Sequence, residues 1–123
     1  MIAMKKTLVA TLAAVLWSAG SALAAAPDVT RTEVTRLLEA VEKSQCQFNR
    51  NGSWHDAREA RAHLQKKYDY LEKKKLVTTT ESFIERGAST SSMSGDPYQM
   101  RCAGTAVVNS ADWLKAELAR VRK

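Results

Sequence analysis

Two cysteines, Cys46 and Cys102, constrain the fold of this chain more than any other feature. Each belongs to a short alternating segment. Cys46, Phe48 and Arg50 alternate with Gln47 and Asn49, and Tyr98, Met100 and Cys102 alternate with Gln99 and Arg101. A period of two marks a half-buried β-strand. Laying the second strand beside the first brings the two thiols together. In an oxidising compartment an even cysteine count favours a disulfide, and only one intramolecular pairing exists. A bridge closing a loop of this length stabilises by roughly 4 kcal/mol, chiefly by restricting the unfolded chain. The alternative, a reactive thiol pair, lacks the CxxC spacing.

The N-terminus supplies the compartment. Lys5 and Lys6 precede an apolar stretch from Thr7 to Trp17, and Ala22-Leu23-Ala24 is an A-x-A cleavage site. Cleavage is expected after Ala24 or Ala26, and translation starts at Met1 or Met4. The apolar stretch is shorter than the roughly 20 residues that span a bilayer. The expectation is a signal peptide over 1–24, a single α+β domain over 27–123, and export to the periplasm. Removing Lys5 and Lys6 lowers the net charge from +6 to +4. That excess does not call for a nucleic-acid partner, and it permits weak attraction to anionic envelope surfaces.

Hydrophobic spacing gives the remaining elements. Val34, Leu37, Leu38 and Val41 mark a first helix over about 31–44, with Thr30 or Thr32 as its cap. Asn51-Gly52 predicts a hairpin with a type I′ turn. Asp56 and Glu59 have capping-box spacing ahead of a helix over 57–73, whose stripe is Ala57, Ala60, Leu64, Tyr68 and Leu71. Thr78-Thr79-Thr80 caps a short helix over 80–88, weakened by Gly87, with Phe83, Ile84 and Ala88 inward. After the strand at 98–102, residues 103–109 read as a loop, and Ser110 caps a last helix carrying Trp113, Leu114, Leu118 and Val121. The fold class is α+β. About four helices pack on a small antiparallel sheet, a hairpin plus one later strand, closed by one disulfide.

The segments FNRNG (48–52), EARAHLQKKY (59–68), TTTESFIERGASTSSMSGDPYQMRC (78–102) and SADWLKAELARVR (110–122) occur in this order. Together they resemble a family of small exported proteins of Gram-negative bacteria. That family is a domain of unknown function with YfeK-like members. The resemblance spans about 33–122 and implies a periplasmic, single-domain protein. It implies no cofactor, substrate or catalytic residue.

Among candidate sites, the hydroxyl-rich loop of Ser89, Ser91, Ser92, Ser94 and Gly95, followed by Tyr98, ranks first. Small residues let backbone N–H groups approach a ligand, and the hydroxyls donate or accept. Its bland reading is a solvated loop that caps the preceding helix. Ser94-Gly95-Asp96-Pro97-Tyr98 also resembles the Ser-Gly-x-x-Tyr element of periplasmic C-type lysozyme inhibitors, although this helix-rich chain is unlike their β-barrel.

His55, Glu59 and His63 are spaced four apart, as metal ligands on one helix face would be. His55 precedes the expected cap and Glu59 belongs to the capping box, so no metal site is assigned. The basic residues Arg58, Arg61, Lys66, Lys67 and Lys73 to Lys75 are read as a solvated helix face, and the aromatic residues as core, except Tyr70 and Trp54. No serine lies in GxSxG or SxxK.

The sequence therefore points to a binding or adaptor domain for an envelope protein or cell-wall polymer, using the loop Ser89 to Tyr98. It is expected as a monomer or weak homodimer without cofactor. The alternatives are a lysozyme-inhibitor-like defence protein and a small envelope hydrolase.

Overall fold

The computed structural model describes residues 27–123; the expected signal segment and its cleavage sites lie outside them. The chain runs α1 (Asp28–Ser44), β1 (Gln47–Arg50), β2 (Ser53–His55), α2 (Ala57–Lys73), α3 (Thr80–Gly87), β3 (Gln99–Arg101), β4 (Val108–Asn109) and α4 (Ser110–Val121). The strands form one antiparallel sheet in the order β2-β1-β3-β4. Among the described residues no helix is long and apolar enough to cross a membrane.

The expected α+β class holds, with the disulfide between Cys46 and Cys102. The sheet pairs Gln47 with Arg101, Phe48 with Met100 and Asn49 with Gln99. Phe48 and Met100 point into the core, whereas Gln47 and Arg101 are exposed. Val34, Leu37 and Val41 of α1 pack there with Phe83 and Ile84 of α3 and Leu114 of α4. Each such fully buried apolar side chain contributes ~1.5–3 kcal/mol.

The hairpin turn is as expected: Asn51 and Gly52 have φ of 54° and 82°, both in the left-handed region.

The structure departs from the sequence reading in five places. First, α1 begins at Asp28, after Pro27, and neither Thr30 nor Thr32 caps it. Thr30 and Glu33 instead lie on its buried side. Polar residues can occupy that side only with partners, and Glu33 has them. Thr80 Oγ1 donates to its Oε1 at 2.7 Å, and Arg122 donates to both of its oxygens at 2.8 and 3.1 Å. Second, Glu59 does not complete a capping box. Asp56 accepts from its backbone N–H at 2.8 Å, but its carboxylate turns to His55. The complete box lies at α3, between Thr79 and Ser82. Third, Gly87 serves packing. A Cβ there would lie 2.9 Å from Leu71 Cδ1, so its absence lets α3 approach α2. Fourth, 103–109 ends in β4, whose two exposed residues are too few for alternation to show. Fifth, Ser110 is not the cap of α4. Asn109 holds that position, and the buried Ser110 hydroxyl has no hydrogen-bond partner among the described residues.

Two predictions follow from these ties. Cys46→Ala/Cys102→Ala should lower unfolding free energy by about 4 kcal/mol in urea titration; an unchanged midpoint would contradict the account. The second concerns Arg122, which also pairs with Glu81. Its guanidinium holds Glu33 and Glu81 below their ordinary value of 4.5. Their contribution is present above that value and is lost as pH falls through the lower folded values. Arg122→Met should therefore destabilise the protein at neutral pH and flatten its acid destabilisation. Equal acid slopes for the two proteins would refute this.

Candidate functional site

The site lies at the end of the β1–β3 ladder opposite the disulfide. Continuing the register beyond Asn49 and Gln99 sets Arg50 across from Tyr98. Both side chains then lie on the face that carries Phe48 and Met100. Tyr98 is buried there, and Arg50 is half-buried at the rim. His63 and Lys67 reach this rim from α2. They are four residues apart and so share one helix face.

These four side chains form one hydrogen-bonded chain. Arg50 contacts Nδ1 of His63. A guanidinium only donates, so Nδ1 accepts and the imidazole proton resides on Nε2. Nε2–H then donates to the Tyr98 hydroxyl oxygen at 3.2 Å. Lys67 Nζ donates to the same oxygen at 3.3 Å and to Ser92 Oγ at 3.0 Å, and sits 5.3 Å from the centre of the Tyr98 ring. The Tyr98 oxygen thus accepts twice, leaving its own O–H as a donor.

The loop is held in shape by the residues that suggested it. Ser91 is buried, and its Oγ accepts from the N–H groups of Met93 and Ser94. Ser94 Oγ donates to Asn51 Oδ1 at 2.8 Å, tying the loop to the hairpin turn. Gly95 has φ of 75°, and its N–H donates to the Ser91 carbonyl. Ser89 Oγ donates to the Ile84 carbonyl of α3. Ser91 therefore shapes the loop from within, Ser89 anchors it to α3, and Ser92, Ser94 and Tyr98 face α2 and the hairpin turn.

Arg50, Asn51, His63, Lys67, Ser92 and Tyr98 line a groove of about 400 Å³ whose lining contains no acidic residue. Among the described residues no carboxylate pairs with Arg50 or Lys67. Adjoining the groove is a pocket of about 50 Å³, lined by the apolar Phe48, Ala60, Leu64 and Ala88 together with Asn49, His55, Glu59 and Ser110. Arg50, His63 and Tyr98 border both spaces.

The other candidates disperse. His55 ends β2 and bonds Glu59 at 2.8 Å, while His63 turns to Arg50 and Tyr98. Among the described residues no three His, Cys, Asp or Glu gather as metal ligands. Of the basic residues on α2, Arg61 pairs with Glu42, Arg58 and Lys66 point to solvent, and Lys67 alone turns into the groove. Tyr70 is exposed, and Trp54 lies 4.1 Å beneath the Arg101 guanidinium on the outer side of the sheet. Arg50 and Ser110 were absent from the sequence candidates. An arginine in the apolar phase of a strand, after Cys46 and Phe48, was the signal for Arg50.

Fold and groove together define a small, disulfide-tied α+β protein with a cationic, hydroxyl-lined recess. The chain matches the family of unknown function DUF5329 over residues 28–122 and belongs to it. It is 34% identical over 96 residues to "Uncharacterized protein YfeK" of Salmonella typhimurium (strain LT2), with 77% of each chain covered. No solved structure matches it.

Burial, and then the charges of Arg50 and Lys67, push His63 down to about 4 from an ordinary 6.5. The folded protein therefore binds fewer protons here than the unfolded chain between those values, and stability falls as pH drops from 6.5 toward 4. Imidazole NMR should show the Nε2–H tautomer at neutral pH and a His63 midpoint near 4. A midpoint near 6.5 would contradict the hydrogen-bonded chain.

Proposed function

We propose that this is an exported periplasmic binding or adaptor domain. It meets an envelope protein or cell-wall polymer through the face formed by Ser89 to Tyr98, the hairpin turn and α2. One observation carries the reading: Arg50 and Lys67, two cations with no carboxylate partner among the described residues, converge with hydroxyl groups on a groove whose lining has no acidic residue. Such a groove attracts negative charge and orients it through several donors. The signal-like N-terminus supports the periplasmic location. His63 bonds Arg50 and Tyr98, and His55 bonds Glu59, so neither imidazole is placed to activate a serine.

The test is capture of envelope components on the immobilised protein, at low and high salt. The tested variant is Arg50→Gln/Lys67→Gln, because Tyr98 is buried and its loss would disturb the core. Wild type should retain an anionic component that the variant releases, with melting temperatures alike. Equal retention by both proteins would remove this face from consideration.

A further inference from the structure

We propose that the ligand group recognised here is a free carboxylate with a small apolar substituent on the adjacent carbon, as at the end of a peptide chain terminating in alanine. The inference rests on the binding reading above and specifies its ligand chemistry.

Donor geometry selects the anion. Arg50 spends one N–H on His63 and keeps the rest of its fork. Lys67 uses two bonds of its three, on Ser92 and Tyr98. The Tyr98 O–H is itself still available. These donors converge from β1, α2 and the loop, and suit an oxyanion with two oxygens.

The apolar half comes from the neighbouring pocket. Its volume of about 50 Å³ suits one or two methyl-sized groups. Its walls are Phe48, Ala60, Leu64 and Ala88. Asn49, His55, Glu59 and Ser110 complete the lining, and the Ser110 hydroxyl, in a residue only 4% exposed, has no hydrogen-bond partner among the described residues. Leaving a buried hydroxyl without a partner is unfavourable, so a ligand amide reaching it gains a contact that the protein leaves open. The boundary between pocket and groove is formed by Arg50, His63 and Tyr98. A ligand that spans both spaces displaces the contact between Arg50 and His63, two half-buried side chains at the rim.

This combination separates carboxylate from phosphate. Every neighbour of a phosphate group begins with a polar oxygen, which an apolar pocket penalises. The neighbour of a carboxylate is carbon. In a chain-terminal alanine that carbon bears both a methyl group and the amide nitrogen.

The experiment is calorimetric titration of the oxidised protein with five probes: N-acetylalanine, N-acetylalaninamide, N-acetylphenylalanine, acetate and inorganic phosphate. N-acetylalanine should bind at least about tenfold more tightly than each of the others. Ala60→Val narrows the pocket and should weaken N-acetylalanine about tenfold while leaving acetate binding unchanged. Lys67→Gln should weaken both. Equal binding of the amide, or tighter binding of phosphate, would overturn the inference. If envelope capture still depends on Arg50 and Lys67 while N-acetylalanine does not bind, the ligand class is wrong and the binding face stands. If neither holds, both readings fall.

Discussion

The register between β1 and β3 is the constraint on which the rest of the molecule depends. It sets Gln47 against Arg101, Phe48 against Met100 and Asn49 against Gln99. Extended one step at one end, it brings Cys46 opposite Cys102, whose Cα atoms are 4.4 Å apart. That spacing is typical of a pair whose backbone groups point away from each other. Extended one step at the other end, it sets Arg50 opposite Tyr98. A single ladder thus carries the covalent tie, the buried centre and the polar rim on the same face. A slip of one residue would turn Phe48 and Arg50 outward together.

The rim then assembles through the loop. The Tyr98 N–H donates to the Ser89 carbonyl, and the Ser110 N–H donates to the Tyr98 carbonyl. The Tyr98 backbone is held from the side away from β1, which frees its ring for His63 and Lys67. The T-shaped His63–Tyr98 pair, at 5.9 Å between centres, seats the ring beneath α2. Ser94 and Asn51 tie the two turns together above it. The groove therefore has a rigid floor built on sheet and helix, and a wall of loop. Its positive character survives because the carboxylates of α2 are engaged elsewhere: Glu59 with His55, Asp69 with Gln65 and Glu72 with Arg31.

Much of this was legible in the sequence, for physical reasons that differ by element. Helices with clean apolar stripes, such as 57–73, announced their bounds because burial repeats every turn. The disulfide and its strands announced each other through alternation. What the sequence concealed were polar residues whose role depends on distant partners. Glu33 lies on the buried side of α1 only because Thr80 and Arg122 meet it. Gly87 looked like a weak point of α3 until Leu71 was found against it. At the site, the loop from Ser89 to Tyr98 stood out by composition. Lys67 read as one more solvated cation, since nothing local shows which lysine a loop will later cover.

The most direct test of the shared register is a solution NMR measurement of Cα-proton contacts across β1 and β3 in the oxidised protein. In pairs whose backbone groups point away from each other, these protons approach closely. The account predicts strong contacts for Cys46 with Cys102, Phe48 with Met100 and Arg50 with Tyr98. Contacts from Arg50 to Pro97 or Gln99 in place of Tyr98 would mean a slipped ladder, and would contradict both the site and its link to the disulfide.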